Sequence, residues 1–208
     1  MRIDSFKTTP DRAGRYWVTF DNGAKLALYR QTAEDFGIYT GMELTEEEYS
    51  RLLTAAGKMS AKMRAVRIVS ASSVSRRELE DRLVRKGEDP TQAKEAVAWM
   101  EELHLVDDRN TAEAVVHSCI SRGYGLARAK QALYEKRIPK EYWEEALAEY
   151  PDQEERIEAF LRSRLDADSD EKQKKKAIDA LIRRGHSYGT IRRVLNGLDF
   201  DTEDYFED

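Results

Sequence analysis

Leu83 to Gly87 reads LVRKG, Leu133 to Ile138 reads LYEKRI, and Leu181 to Gly185 reads LIRRG. Each stretch sets two apolar residues ahead of a basic end, and the three leucines stand 50 and 48 positions apart. An apolar residue recurs four positions before each leucine, at Leu79, Ala129 and Ala177, and a spacing of four places both members of each pair on one face of a helix. The bases then suit the negative end of the helix dipole, and a glycine or a break stops the helix. Each stretch is therefore read as the end of the middle helix of a unit.

Working outward, each middle helix lies between two others. The first unit runs through KMSAKMRAVRIVSA, SRRELEDRLVRKG and DPTQAKEAVAWMEELHLV; the second through NTAEAVVHSCISRG, GLARAKQALYEKRI and PKEYWEEALAEY. The third runs through DQEERIEAFLRSRL, EKQKKKAIDALIRRG and SYGTIRRVLNGL. The final helices pair Val97 with Met100, Ala146 with Leu147 and Val194 with Leu195. A period near fifty residues marks stacked supersecondary units, none of which can cover its own apolar face. The expected fold is mainly α: an elongated, curved array of three tandem three-helix repeats.

Residues 1–30 carry a different pattern. RIDSFK, RYWVTF and KLALYR alternate as strands do, with turn chemistry in TPDRAG and DNGA, where Asn22-Gly23 tolerates the positive backbone angles of a tight hairpin. A small antiparallel sheet is predicted, then a short helix near Gln31–Phe36, an extended IYTGMEL, and a helix that Thr45 and Glu48 open as a capping box. The expected divisions are 1–57 for this β-rich extension, 58–109, 110–150 and 151–198 for the repeats, and 199–208 for an acidic tail.

The formal net charge of −5 argues against a simple polyanion binder, but the charge is unevenly placed. DFDTEDYFED, at the C-terminus, holds six acids and no base, while residues 58–198 hold 28 Lys and Arg against 25 Asp and Glu. Residues 170–193 are the most basic stretch, with eight bases and three acids. A solvated helix face and a phosphate- or acid-facing surface are both open readings of it. The tail reads as a solubilising terminus.

A single cysteine, Cys119, excludes an internal disulfide, and with no charged-then-apolar leader after Met1 a cytoplasmic setting is expected. No apolar run approaches the roughly 18 to 20 residues of a membrane span. His104, His117 and His186 have no partner at metal-ligand spacing, and the phosphate-cradling, dinucleotide and nucleophile-elbow motifs are missing. No catalytic set, cofactor or metal is implied. Asp107 and Asp108 could hold an ion, but capping of the next helix is the simpler account. Cys119 is read as a buried thiol, Gly123 and Gly125 as an interhelical loop, and Trp99, Trp143, Tyr142 and Tyr150 as packing between helices.

Three longer segments, EELHLVDDRNTAEAVV, SRGYGLARAKQALYEKRIP and LIRRGHSYGTIRRVL, resemble the RecX family, bacterial regulators of the RecA recombinase. The likeness spans Met59 to Leu198 and rests on the order and spacing of these segments. Asn110 and Thr111 stand where the family usually has Arg and an aromatic, and Arg137 stands where a glycine is common. The resemblance implies a non-enzymatic modulator that binds RecA and its filament on single-stranded DNA, restraining ATP hydrolysis, strand exchange and filament growth in recombination, DNA repair and the SOS response; no feature demands a dimer, and a monomer is expected. The surface expected to meet this partner comprises Arg82, Arg85, Lys86, Arg128, Lys136, Arg137, Lys174, Lys175, Arg183 and Arg184. Two other readings are a direct DNA binder with helix-turn-helix-like units, or weak DNA contact beside the RecA one, and a helical adaptor for an unrelated protein.

Overall fold

The computed structural model describes residues 1–166 and 169–198; the acidic segment 199–208 lies outside them. Its elements are three strands, β1 (Ile3–Phe6), β2 (Arg15–Phe20) and β3 (Lys25–Tyr29), and ten α-helices. The chain divides into two compact units, Met1–Asp107 and the part from Asp108 onward. The protein is thus mainly helical with a small N-terminal antiparallel sheet.

In the first unit the sheet order is β1-β2-β3, both pairs antiparallel. Alternation on β2 buries Tyr16, Val18 and Phe20, which with Ile3 and Leu28 form one apolar face. The β2–β3 turn differs in detail from a two-residue hairpin. Only Gly23 takes a positive φ, +78°, and Gly23 N–H donates to the Phe20 carbonyl, so the loop is longer by a residue. The Asp11 carboxylate organises the preceding turn, accepting from the amides of Ala13 and Arg15, Arg15 Nε and Trp17 Nε1. Arg15 above all holds that carboxyl well below the usual carboxylate range.

Helix α1 (Arg30–Asp35) leads to α2 (Glu46–Ala71). Thr45 caps α2 at the Glu48 amide while Glu48 reaches back to the Thr45 amide, so the capping box is complete. α2 then runs unbroken for 26 residues and serves two cores. Leu52 and Ala56 close the sheet, whereas Ala61, Ala65 and Ile68 pack on α3 (Arg76–Arg85) and α4 (Pro90–Glu102). The division drawn between residues 57 and 58 falls inside this helix. Gly57, the residue there, costs about 1 kcal/mol against alanine in a helix but stops one only when it turns left-handed, and its φ is not positive.

The second unit contains two further triplets. The first comprises α5 (Asp108–Ser121), α6 (Leu126–Glu135) and a third arm in which a 3-10 turn, Lys140–Tyr142, runs into the short α7 (Trp143–Leu147). The sequence predicts a longer third helix here. Pro151 disfavours helix at Tyr150, and two side chains bond backbone instead: Trp143 Nε1 to the Ile138 carbonyl at 3.0 Å and Tyr150 Oη to the Tyr124 carbonyl at 2.7 Å. The second comprises α8 (Gln153–Arg162), α9 (Glu171–Arg183) and α10 (Tyr188–Gly197) around Ile157, Leu161, Leu181, Ile191 and Leu195. Leu79, Leu83, Ala129, Leu133, Ala177 and Leu181 are all buried, as the four-residue spacing requires.

Candidate partner-binding surface

The three basic stretches close their helices with one turn. At each end the left-handed residue is Gly87, Arg137 or Gly185, with φ of +90°, +54° and +85°. The residue after it sends its amide back to the core leucine: Glu88 to Leu83 at 3.2 Å, Ile138 to Leu133 at 3.1 Å, His186 to Leu181 at 3.1 Å. The left-handed residue itself donates to the carbonyl of Val84, Tyr134 or Ile182. This is the Schellman arrangement, which satisfies carbonyls that a helix end would otherwise leave unpaired. The residue following each turn points inward, and Glu88, Ile138 and His186 are all buried. Glu88 accepts from Ser60 and Arg64 of α2, Ile138 joins the second triplet's core, and His186 Nε2 meets the Gly123 carbonyl at 3.2 Å.

The ten expected cations are differently placed. Arg85, Lys86, Lys175 and Arg183 are exposed. Arg82 turns inward to Glu78 and to Ser72 Oγ at 3.2 Å. Arg128 is exposed and paired with Glu135 at 3.3 Å, and Lys136 and Arg137 at the far end of α6 take part in further interactions. Lys174 is 8% exposed, its amine 3.0 Å from Glu171, so its stem serves the core of the third triplet. Arg184 is half-buried, 4.6 Å above the Phe160 ring, which Arg164 approaches at 5.2 Å.

Within the second unit the two helices that carry Arg128 and Arg184 are joined through the backbone. The start of α6 meets the end of α9, with the Gly125 amide donating to the Arg184 carbonyl at 2.8 Å and the Ala127 amide to the Gly185 carbonyl at 3.3 Å. The positive end of one helix dipole thereby sits on the negative end of another. Arg156 reinforces the contact by donating to the Ile120 carbonyl. Spacing along the chain did not point to these residues, because their partners lie some 36 to 63 positions away.

Of the other groups singled out in sequence, His104, Asp107 and His117 are exposed, whereas Cys119 and Asp108 are packed. Cys119 is 5% exposed, and burial pushes its thiol pKa up against the opposing pull of Arg128 and Arg122. Tyr150 is pushed up to about 12, again chiefly by burial. α5 begins at the buried Asp108. Among the described residues no three His, Cys, Asp or Glu side chains are grouped to hold a metal ion, and no helix is long and apolar enough to cross a membrane.

These features define a class: tandem three-helix units, each middle helix closed by the same turn and flanked by cations. Family models extend the point, since residues 107–147 match the second three-helix domain of RecX and residues 151–195 match the third. The chain is 27% identical to the regulatory protein RecX of Clostridioides difficile (strain 630) over 210 residues, 98% of this chain and 97% of that protein. It is 34% identical to the regulatory protein RecX of Chlorobaculum tepidum over 142 residues, 66% of this chain and 88% of that one. A crystal structure of RecX from Lactobacillus salivarius superposes with a TM-score of 0.60 at 25% identity, covering 70% of this chain and 98% of that one. A crystal structure of a regulatory protein RecX shares the fold at a TM-score of 0.63 and 19% identity, over 94% of this chain and all of that one. The chain belongs to the RecX family.

Proposed function

We propose that the protein is a non-catalytic regulator that binds RecA and the RecA filament on single-stranded DNA, and so restrains ATP hydrolysis, strand exchange and filament growth during recombination and repair. It acts in the cytoplasm, as a monomer, without cofactor or membrane. The observation that carries this reading is the threefold recurrence of one helix end with cations beside it, at Arg85 and Lys86, at Lys136 and Arg137, and at Arg183 and Arg184. A partner that repeats along a filament can meet one such end per copy, and modest contacts then combine through high effective concentration. DNA itself is a secondary ligand at most, because residues 58–198 carry a surplus of only three positive charges.

The test is a titration of the protein into a RecA ATPase assay on single-stranded DNA. Inhibition that saturates is expected, and full ATPase activity at saturating protein overturns the reading. Charge reversal at Arg85, Lys86 and Arg183, all exposed, should weaken filament binding and flatten its salt dependence.

A further inference from the structure

One residue in each basic stretch leaves an apolar side chain in contact with solvent. It stands between the core leucine and the cations: Val84 in the first triplet, Tyr134 in the second, Ile182 in the third. These side chains are 39%, 67% and 45% exposed. The closing turn asks of this position only a backbone carbonyl, which accepts from Gly87, Arg137 or Gly185 at 2.9, 2.9 and 2.8 Å. The inward-facing positions of the turn are instead the leucine before it and the buried residue after it.

Solvent-facing helix positions favour Lys, Glu, Gln, Arg or Ala, and Val, Ile and Tyr are each poorer helix formers there. A single exposed apolar side chain is ordinary. Its recurrence at one backbone position of three triplets is different, because helix propensity opposes it each time. The neighbouring exposed position shows what drift looks like, being Arg85, Glu135 and Arg183.

We infer that Val84, Tyr134 and Ile182 are anchors for partner contact, each entering an apolar pocket on an acidic, repeating protein partner while the adjacent cations meet carboxylates at the pocket rim. This rests on the filament reading and adds to it which side chains supply the affinity. Apolar anchors near the centre of a contact carry most binding energy, and rim charges chiefly steer and orient. The side chains point to a protein surface over a nucleic acid. Val84 and Ile182 are aliphatic and offer no ring for a base to stack on, and a phosphate backbone would be served by the cations alone.

The experiment uses the full chain with Val84→Gln, Tyr134→Gln and Ile182→Gln, singly and together, glutamine being a good helix former. Thermal unfolding is measured first, then binding to RecA on single-stranded DNA by anisotropy of labelled protein across a salt series. Each single change should leave the melting temperature in place and weaken binding about tenfold, the triple change should weaken it more than about a hundredfold, and the salt slope should persist. Wild type and triple variant binding equally would overturn the anchors and leave the regulator reading intact. A melting temperature that falls in the single variants would also overturn them, by showing these side chains to be packed. A wild-type protein that fails to bind the filament overturns the regulator reading and the anchors with it.

Discussion

The amide of Gly125 donates to the carbonyl of Arg184 at 2.8 Å, so the start of α6 is fastened to the end of α9 with no side chain between them. The fit excludes one. A Cβ on Gly125 would lie 2.2 Å from the Gly185 carbonyl oxygen and 2.4 Å from the His186 nitrogen, both backbone atoms that cannot swing aside. Gly125→Ala should therefore destabilise the second unit by about 3 kcal/mol, the upper range for overpacking. Gly189→Ala is the control, since a Cβ there meets nothing within 4 Å in a helix, and it should be neutral or stabilise by about 0.5 kcal/mol. Urea unfolding of both variants measures the difference, and equal midpoints would show that the seam can open at little cost.

His104 ends α4 in the left-handed region, at φ +56°, and its side chain is exposed. That conformation costs an L-residue about 1 to 2 kcal/mol, against which glycine loses about 0.5 to 1 kcal/mol more chain entropy on folding. His104→Gly should thus stabilise the first unit by about 0.5 kcal/mol, while His104→Ala, which keeps the Cβ, should gain nothing. Thermal melts of the three proteins decide it, and an alanine variant as stable as the glycine one would refute backbone strain as the cause.

The Glu88 side chain is 6% exposed and accepts from Ser60 Oγ at 3.0 Å and from Arg64 Nε. Removing the cation alone leaves a carboxylate buried with one hydroxyl donor. Arg64→Ala should cost about 2 to 3 kcal/mol, and adding Glu88→Gln to it should recover part of that loss, because a neutral amide is far easier to bury. Denaturant unfolding of the single and double variants completes the cycle, and strictly additive losses would show that the pair is not coupled.

Periodicity made the three triplets legible because each core face is local: Leu79 and Leu83, or Ala177 and Leu181, declare themselves within one helix. Capping chemistry is equally local, and Thr45 with Glu48 could be read four residues at a time. The seam could not be read this way. Gly125 looks like any loop glycine until Gly185 is laid against it, and the reason for its lack of a side chain is sixty residues distant. Lys174 illustrates the same limit at the candidate surface, where its charge marks a solvated run but its place on α9, beside Ala177 and Ile178, turns its stem into the core. α2 runs through the expected division for the opposite reason, since nothing local breaks the helix and only the partners of its two ends reveal that it serves two cores.

His186 makes the second unit sensitive to pH. The ring is 6% exposed, Nε2 donates to the Gly123 carbonyl at the end of α5, and the buried Nδ1 has no hydrogen-bond partner. Burial first, and then the nearby Arg184 of α9's end and Arg156 of α8, pull its pKa below the ordinary 6.5, with the Gly123 bond opposing them. A histidine whose folded pKa is lowered binds protons more readily unfolded, so stability is complete above the unfolded value and drains as pH falls through it toward the folded one. The slope can reach about 1.4 kcal/mol per pH unit in that window. Between about pH 7.5 and about pH 5.5 the wild type should lose stability that His186→Gln, which keeps a donor for Gly123 but cannot titrate, does not lose. Denaturant unfolding at the two pH values measures both proteins, and parallel losses in the two would assign the pH dependence to other groups.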